Sequence, residues 1–193
     1  WSYLAGNGPD EFEVTITATD SDSASSTVTF TVGVTALAPT LHADFGAVNV
    51  SEGQRAGNTG TWGDAGGDAV TLTASLGAVT KNTNGTWTWS YNTTDGPDQS
   101  GTVTITATDS DSYQTSVTFT LGVANAPPRL TTAAGSVSTP EGGVARNRGN
   151  WGDPGADTVT LSASSGTVTK NGDGTWSWSF NSTDGPNESR TVT

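Results

Sequence analysis

The ten-residue string VTITATDSDS occurs twice, at Val14–Ser23 and again at Val103–Ser112. The offset, Asp20 to Asp109, is 89 residues, the size of a small domain, so the chain reads as a tandem array of like units. The same step carries Glu52 to Glu141, Trp62 to Trp151, Asp64 to Asp153, Lys81 to Lys170, and Trp87 and Trp89 to Trp176 and Trp178. Between residues 51–104 and 140–193, 34 of 54 positions are identical with no gap. Trp1, Ser2 and Tyr3 match Trp89, Ser90 and Tyr91, and Thr193 matches Thr104. The expected organisation is therefore the back of one repeat (1–37), a complete repeat (38–126) and the front of a third (127–193). Two continuations are open: the repeats run on covalently, or the front on one chain completes the back on another.

An 89-residue unit can bury a small core of its own. Only 32% of the chain is hydrophobic and 13% charged, so the core must be thin and the surface Thr- and Ser-rich. Thr suits exposed strand faces, where β-branching is favoured. A net charge of −12 argues against nucleic acid or an anionic membrane as partner and makes cations the natural counter-species. With no Cys there are no disulfides and no Cys-ligated zinc; no apolar run approaches the about 18 residues that cross a bilayer.

Along the complete repeat, short alternating segments lie between Gly, Asn, Asp and Pro punctuation, and no helical period appears. Expected strands are Leu41–Val50, one ending near Trp62, Val70–Ser75, Ala78–Asn82, Thr86–Tyr91, Thr102–Asp109 and Ser116–Val123, with a tight Asn84-Gly85 turn. Seven strands in this order predict an all-β chain of tandem Greek-key, immunoglobulin-like sandwiches. Between repeats, VTALAPTL (Val34–Leu41) and VANAPPRL (Val123–Leu130) each place Pro ahead of the next strand, which favours a semi-rigid joint.

In such a sandwich the loop after the second strand and the turn between the last two strands share one end, which brings Asp64 and Asp68 to Asp109 and Asp111. The opposite end presents the first turn and the loop before the sixth strand. Asp10 and Glu11 are then expected to face the Asp64 cluster, and Glu52, Asp95 and Asp98 to face Asp153 and Asp157. Oxygen-rich clusters of this kind suit Ca²⁺; as turn formers, the same Asp and Gly residues need no ligand.

The turns SEG (Ser51–Gly53) and TPEGG (Thr139–Gly143), the strand end ATDSD (Ala107–Asp111) and the Asn125-Ala126-Pro127 linker resemble the cadherin and bacterial cadherin-like pattern. The loops GDAGGD (Gly63–Asp68) and GDPGAD (Gly152–Asp157) resemble bacterial immunoglobulin-like repeats of large surface adhesins. The resemblance implies an extracellular or cell-surface location and calcium where repeats meet. It makes Glu52 and Glu141 base-of-domain ligands, Asp109 and Asp111 top-of-domain ligands, and Asn125 what is kept of the linker ligands.

Trp87, Trp89 and Tyr91 share one strand face. That face is either core, which so apolar-poor a chain needs, or an exposed platform for a sugar ring. Trp62 and Trp151 read as plugs at the domain end. His42 is the single histidine and its repeat equivalent is Thr131, so no Ser/His/Asp site recurs. Lys81 and Lys170 recur on a strand and raise an intramolecular isopeptide bond as a further reading. The function expected is non-enzymatic: a structural region of an extracellular adhesin, stalk or filament whose partners are neighbouring repeats or copies, head to tail. The alternative is a carbohydrate- or ligand-binding module, with surface glycans as partners.

Overall fold

The structure, a computed structural model, describes residues 2–193. Every regular element among them is a β-strand. Strands are numbered in chain order. Strands β1 (Asp10–Thr19) and β2 (Ser25–Val34) form a hairpin. The complete repeat supplies β3 (Thr40–Ala43), β4 (Ala47–Ser51), β5 (Arg55–Gly63), β6 (Thr71–Ala74), β7 (Ala78–Lys81), β8 (Thr86–Asn92), β9 (Gly101–Thr108) and β10 (Gln114–Ala124). The third repeat supplies β11 (Arg129–Thr132), β12 (Val144–Gly152), β13 (Thr167–Lys170) and β14 (Thr175–Asn181).

In the complete repeat one sheet runs β3-β5-β8-β7 and the other β4-β10-β9-β6. Two four-stranded sheets with the chain crossing between layers from β3 to β4, β4 to β5, β5 to β6, β6 to β7 and β8 to β9 give an immunoglobulin-like sandwich. The sequence expectation of seven strands needs one correction: Leu41–Val50 is not a single strand. It breaks at Asp44–Gly46, so β3 pairs β5 in one sheet while β4 joins β10 in the other. The break is held by hydrogen bonds. The Asp44 amide donates to the Thr59 carbonyl, the Asn58 side chain donates to the Phe45 carbonyl, and the Thr120 amide donates to the Gly46 carbonyl. The Asn84-Gly85 turn is also longer than a two-residue hairpin. The Asn82 amide donates to the Thr86 carbonyl, leaving a three-residue loop in which only Gly85 takes the left-handed conformation, at φ 79°.

The core between the sheets is built on Trp87 and Trp89, both fully buried, with Val103, Ile105, Ala107, Phe119 and Leu121 facing them. The Trp89 and Phe119 rings meet edge to face at 4.9 Å. Each indole N–H is satisfied by backbone, Trp87 donating to the His42 carbonyl and Trp89 to the Leu76 carbonyl. Indoles of this bulk need room, and Gly60 provides it: a side chain there would enter the Trp87 ring and the His42 carbonyl. The sugar-platform reading of Trp87 and Trp89 is therefore overturned, because buried rings offer no face to a ligand.

Trp62 is half-buried rather than a core plug. Its N–H donates to the Asn82 and Thr86 carbonyls, and the Lys81 ammonium lies 4.3 Å above its ring while donating to the Val70 carbonyl. The third repeat reproduces this with Lys170, 4.0 Å above Trp151 and bonded to Val159. Both lysines are thus engaged with an indole and a carbonyl, an arrangement that does not favour the isopeptide reading.

By compactness the chain forms two units. One holds everything up to Asn49 with Arg55–Asn92 and Ser100–Gly122; the other holds Val50–Gln54, Thr93–Gln99 and Val123–Thr193. The turns around Glu52 and Asp95 thus group with the third repeat.

Replacing Trp89 by Ala removes a buried indole together with its hydrogen bond, at a cost of about 3–5 kcal/mol. Trp178→Ala, at the half-buried equivalent in the third repeat, costs less. Urea unfolding of the two variants against the parent chain checks both magnitudes.

Candidate metal centres

Two acidic clusters sit on loops, one in each compact unit. The first follows β5. Asp64 curls the loop around itself: its Oδ1 accepts the amides of Gly66, Gly67 and Asp68 at 2.9, 3.0 and 3.1 Å. Gly67 takes φ 82°, which lets the three N–H groups converge. Asp109, at the end of β9, does the same for the β9–β10 turn, its Oδ1 accepting the amides of Asp111 and Tyr113 at 3.0 and 2.8 Å. That turn closes with Ser112 at φ 73°, a conformation unusual for a residue with a side chain. Asp68 completes the group and accepts the Ser110 hydroxyl at 2.8 Å.

Carboxylate oxygens of Asp64, Asp68 and Asp109 lie within 4.8 Å of one another. Asp109 is only 5% exposed, and Oδ2 of both Asp64 and Asp109 is buried with no hydrogen-bond partner. An unpaired carboxylate oxygen out of water is costly, and nearby like charges make it more so. Burial, then the charges of Asp68, Asp109 and Asp64, push the Asp111 carboxyl above its ordinary value.

The second cluster joins Glu52 to Asp153 and Asp157, again with oxygens within 4.8 Å. Glu52 is fully buried. Its Oε2 accepts the Gly96 amide and its Oε1 the Ala126 amide, each at 2.8 Å. Asp153 Oδ1 accepts the Gly155 amide at 2.9 Å. Gly155 has no alternative, since a side chain there would meet the Glu52 carboxylate. The Asp157 carboxyl is raised by burial, then by Glu52, Asp95, Asp153 and Asp98.

The sequence thus grouped Asp64, Asp68 and Asp109 correctly by loop position, as it did Glu52 with Asp153 and Asp157. Asp111, Asp95 and Asp98 stand around the clusters, felt as charges. Asp10 and Glu11 do not join the Asp64 group among the described residues; the Asp10 carboxylate instead accepts the Glu11 amide. Beside Asn125 in the linker, the Ala126 amide donates to Glu52 Oε1 at 2.8 Å. Sequence reasoning missed Asn7, whose Oδ1 lies 3.3 Å from where a Gly66 side chain would begin. The signal was there: matching Trp1 to Trp89 sets Asn7 on Asp95. His42 is exposed on β3, 4.0 Å from Asp44.

Oxygen-only ligand sets with several carboxylates match a hard cation such as Ca²⁺ better than a softer metal, which prefers His or Cys. The unpartnered Oδ2 atoms of Asp64 and Asp109 fit such an ion. They are buried accepting atoms without a partner, with their sister oxygens fixed by the backbone.

No protein-family model and no curated protein matches the sequence. Among solved structures, the chain is similar to titin domains Z1Z2 in complex with telethonin, at 18% identity over 82% of this chain and 88% of that one, with a TM-score of 0.43. It is similar to the S-layer protein SbsC domains 4 and 5, at 23% identity over 51% and 59%, TM-score 0.30. It is also similar to the adhesin InvE of Yersinia pseudotuberculosis, at 16% identity over 74% and 51%, TM-score 0.33. All three scores lie below 0.5, so the sandwich rests on the strand order above and not on these likenesses.

A raised carboxyl destabilises the folded state as pH rises: Asp111 holds its proton more tightly folded than unfolded, so its contribution is lost as pH climbs from the ordinary aspartate value through the raised one. In chelator, the side-chain carboxyl carbon of Asp111, followed by NMR, titrates above the ordinary aspartate value. A midpoint at or below that ordinary value refutes the crowding of charges around it.

Proposed function

We propose that the chain is a non-enzymatic structural region of an extracellular adhesin, stalk or filament, built of immunoglobulin-like repeats in series and stiffened by Ca²⁺ at acidic loops. One observation carries the reading: the buried, unpartnered Oδ2 atoms of Asp64 and Asp109, on carboxylates that are grouped with Asp68 and held through Oδ1 by five backbone amides. A loop meant only for solvent has no reason to bury acceptors in that way. Asp64, Asp68 and Asp109 would hold one ion; Glu52, Asp153 and Asp157 would hold another.

The second group supports the mechanical part of the reading, since Glu52 belongs to the complete repeat and Asp153 and Asp157 to the third, yet all three lie in one compact unit. An ion there ties the turn after β4 to the loop after β12. With the cation bound, carboxylates that repel become carboxylates that share a ligand, and the loops lose freedom. The short Pro-containing connectors and the acidic, Thr-rich surface agree with an exposed spacer whose partners are its own repeats. No helix among the described residues is long and apolar enough to cross a membrane.

Adding Ca²⁺ to chelated protein raises the melting midpoint, by the equivalent of about 2.7 kcal/mol at a hundred times the dissociation constant. Asp109→Asn keeps the size of the side chain but removes the charge. It abolishes most of the rise while leaving the chelated protein as stable or slightly more so. A midpoint indifferent to millimolar Ca²⁺ in the parent chain would falsify the calcium reading.

A further inference from the structure

The sequence holds three Asn-Gly steps, Asn7-Gly8, Asn84-Gly85 and Asn171-Gly172. Such a step can lose ammonia when the glycine nitrogen reaches the asparagine side chain, because glycine has no Cβ to obstruct the approach. The structure separates the three. Asn84 is exposed in the loop between β7 and β8. Its Oδ1 accepts the Thr86 amide at 3.2 Å and the Thr86 hydroxyl at 2.7 Å. That hydroxyl in turn accepts the Asn82 side-chain amide at 2.9 Å, so a short relay of hydrogen bonds ends on the Asn84 carboxamide.

The third repeat builds the same relay with a different last member. The Asn171 side-chain amide donates to the Thr175 hydroxyl at 2.8 Å, and Asp173 Oδ1 accepts that hydroxyl at 2.6 Å and the Thr175 amide at 3.0 Å. The hydroxyl, then the amide, hold the Asp173 carboxyl below its ordinary value. This fold thus already accommodates an acid where the complete repeat has an amide.

We propose that Asn84 is a deamidation site, at which the β7–β8 loop of the complete repeat converts without an enzyme to the acid that the third repeat has in the same place. The Gly85 amide nitrogen gives its proton to solvent and attacks Asn84 Cγ. A carbon–nitrogen bond forms there as the bond from Cγ to Nδ2 breaks, and Nδ2 leaves as ammonia after taking a proton from water. A second water opens the resulting five-membered imide, and opening at Cγ leaves an aspartate. The two Thr86 donors draw charge onto Oδ1 and stabilise the oxyanion of the attack, as donors aimed at developing charge do.

Asn171 is pinned instead. Its amide donates to the Thr175 carbonyl, its carbonyl accepts the Trp151 indole N–H, and its side-chain nitrogen, the atom that would depart, donates to the Thr175 hydroxyl. Ring closure there has to disturb all three bonds. In the remaining step Gly8 is buried, and a side chain on it would meet the Thr35 carbonyl, so the peptide lacks room to turn.

Incubation of the full chain at mildly alkaline pH, followed by peptide mapping in a mass spectrometer, tests the assignment. In the folded chain Asn84 gains the mass of an amide-to-acid change about tenfold or more faster than Asn171, whereas in urea the two convert at similar rates. Equal rates in the folded chain, or an Asn84 that stays intact while the unfolded chain reacts there, overturn the proposal. Thr86→Val slows conversion at Asn84 several-fold in the folded chain and leaves the rate in urea unchanged, and Thr86→Ser, which keeps the hydroxyl, restores it. Faster conversion in a folded Thr86→Val chain overturns the part given to Thr86. The carboxyl introduced by Asn84→Asp, followed by NMR, titrates below the ordinary aspartate value as Asp173 does; an ordinary or raised midpoint overturns the likeness of the two loops.

Discussion

The structure depends on two indoles. With so little apolar sequence, Trp87 and Trp89 are the largest side chains the complete repeat buries, and each is held twice, by packing and by an N–H bonded to a backbone carbonyl. Those bonds tie β8 to β3 and to the segment before β7, so the sheet is cross-braced where the rings sit. The opposing sheet answers with Phe119 edge-on to Trp89 and with the small-to-medium row Val103, Ile105 and Ala107. Aromatic pairs in this geometry contribute about 0.5–1.5 kcal/mol beyond their area. Gly60 and Gly149 follow from the same demand, because the indole beside each fills the volume a side chain would need.

The core also fixes the acidic loops. Asp64 follows directly on β5, and Asp109 on β9, whose inward face is Val103, Ile105 and Ala107. Once these strands pack on the indoles the two loop origins are set, and backbone amides aim the carboxylates. Each Asp spends one oxygen organising its own turn and leaves the other facing its neighbours. That division reconciles two readings that compete in the sequence. The aspartates are turn formers, as their type suggests, and the same turns leave the remaining oxygens of Asp64 and Asp109 buried without a partner.

Much of this was legible in the amino acids. Alternation of Val, Ile and Thr with Gly, Asn and Asp punctuation located the strands of the complete repeat apart from the division of Leu41–Val50, because a half-buried strand enforces a period of two. The break at Asp44–Gly46 was not legible, since a change of sheet leaves the alternation untouched and is decided by partners far along the chain, Thr59 and Thr120. Loop position grouped Asp64, Asp68 and Asp109. Asp10 accepts the amide of its own neighbour Glu11, and loop position passed over Asn7 because the first repeat is one residue shorter than the second between Tyr3 and Val14. Gly155 as the gap that admits Glu52 shows only in three dimensions.

Core and acidic loops are therefore not separate modules. The β9–β10 hairpin that closes the core is the same segment that delivers Asp109, so whatever holds the hairpin against the indoles holds the carboxylate against Asp64 and Asp68. The coupling runs both ways. Repulsion among the three carboxylates pushes on the hairpin that covers the core, and a cation that satisfies them draws it in. A chain this acidic with a core this thin gains more from such a neutralisation than a protein with apolar surface to spare.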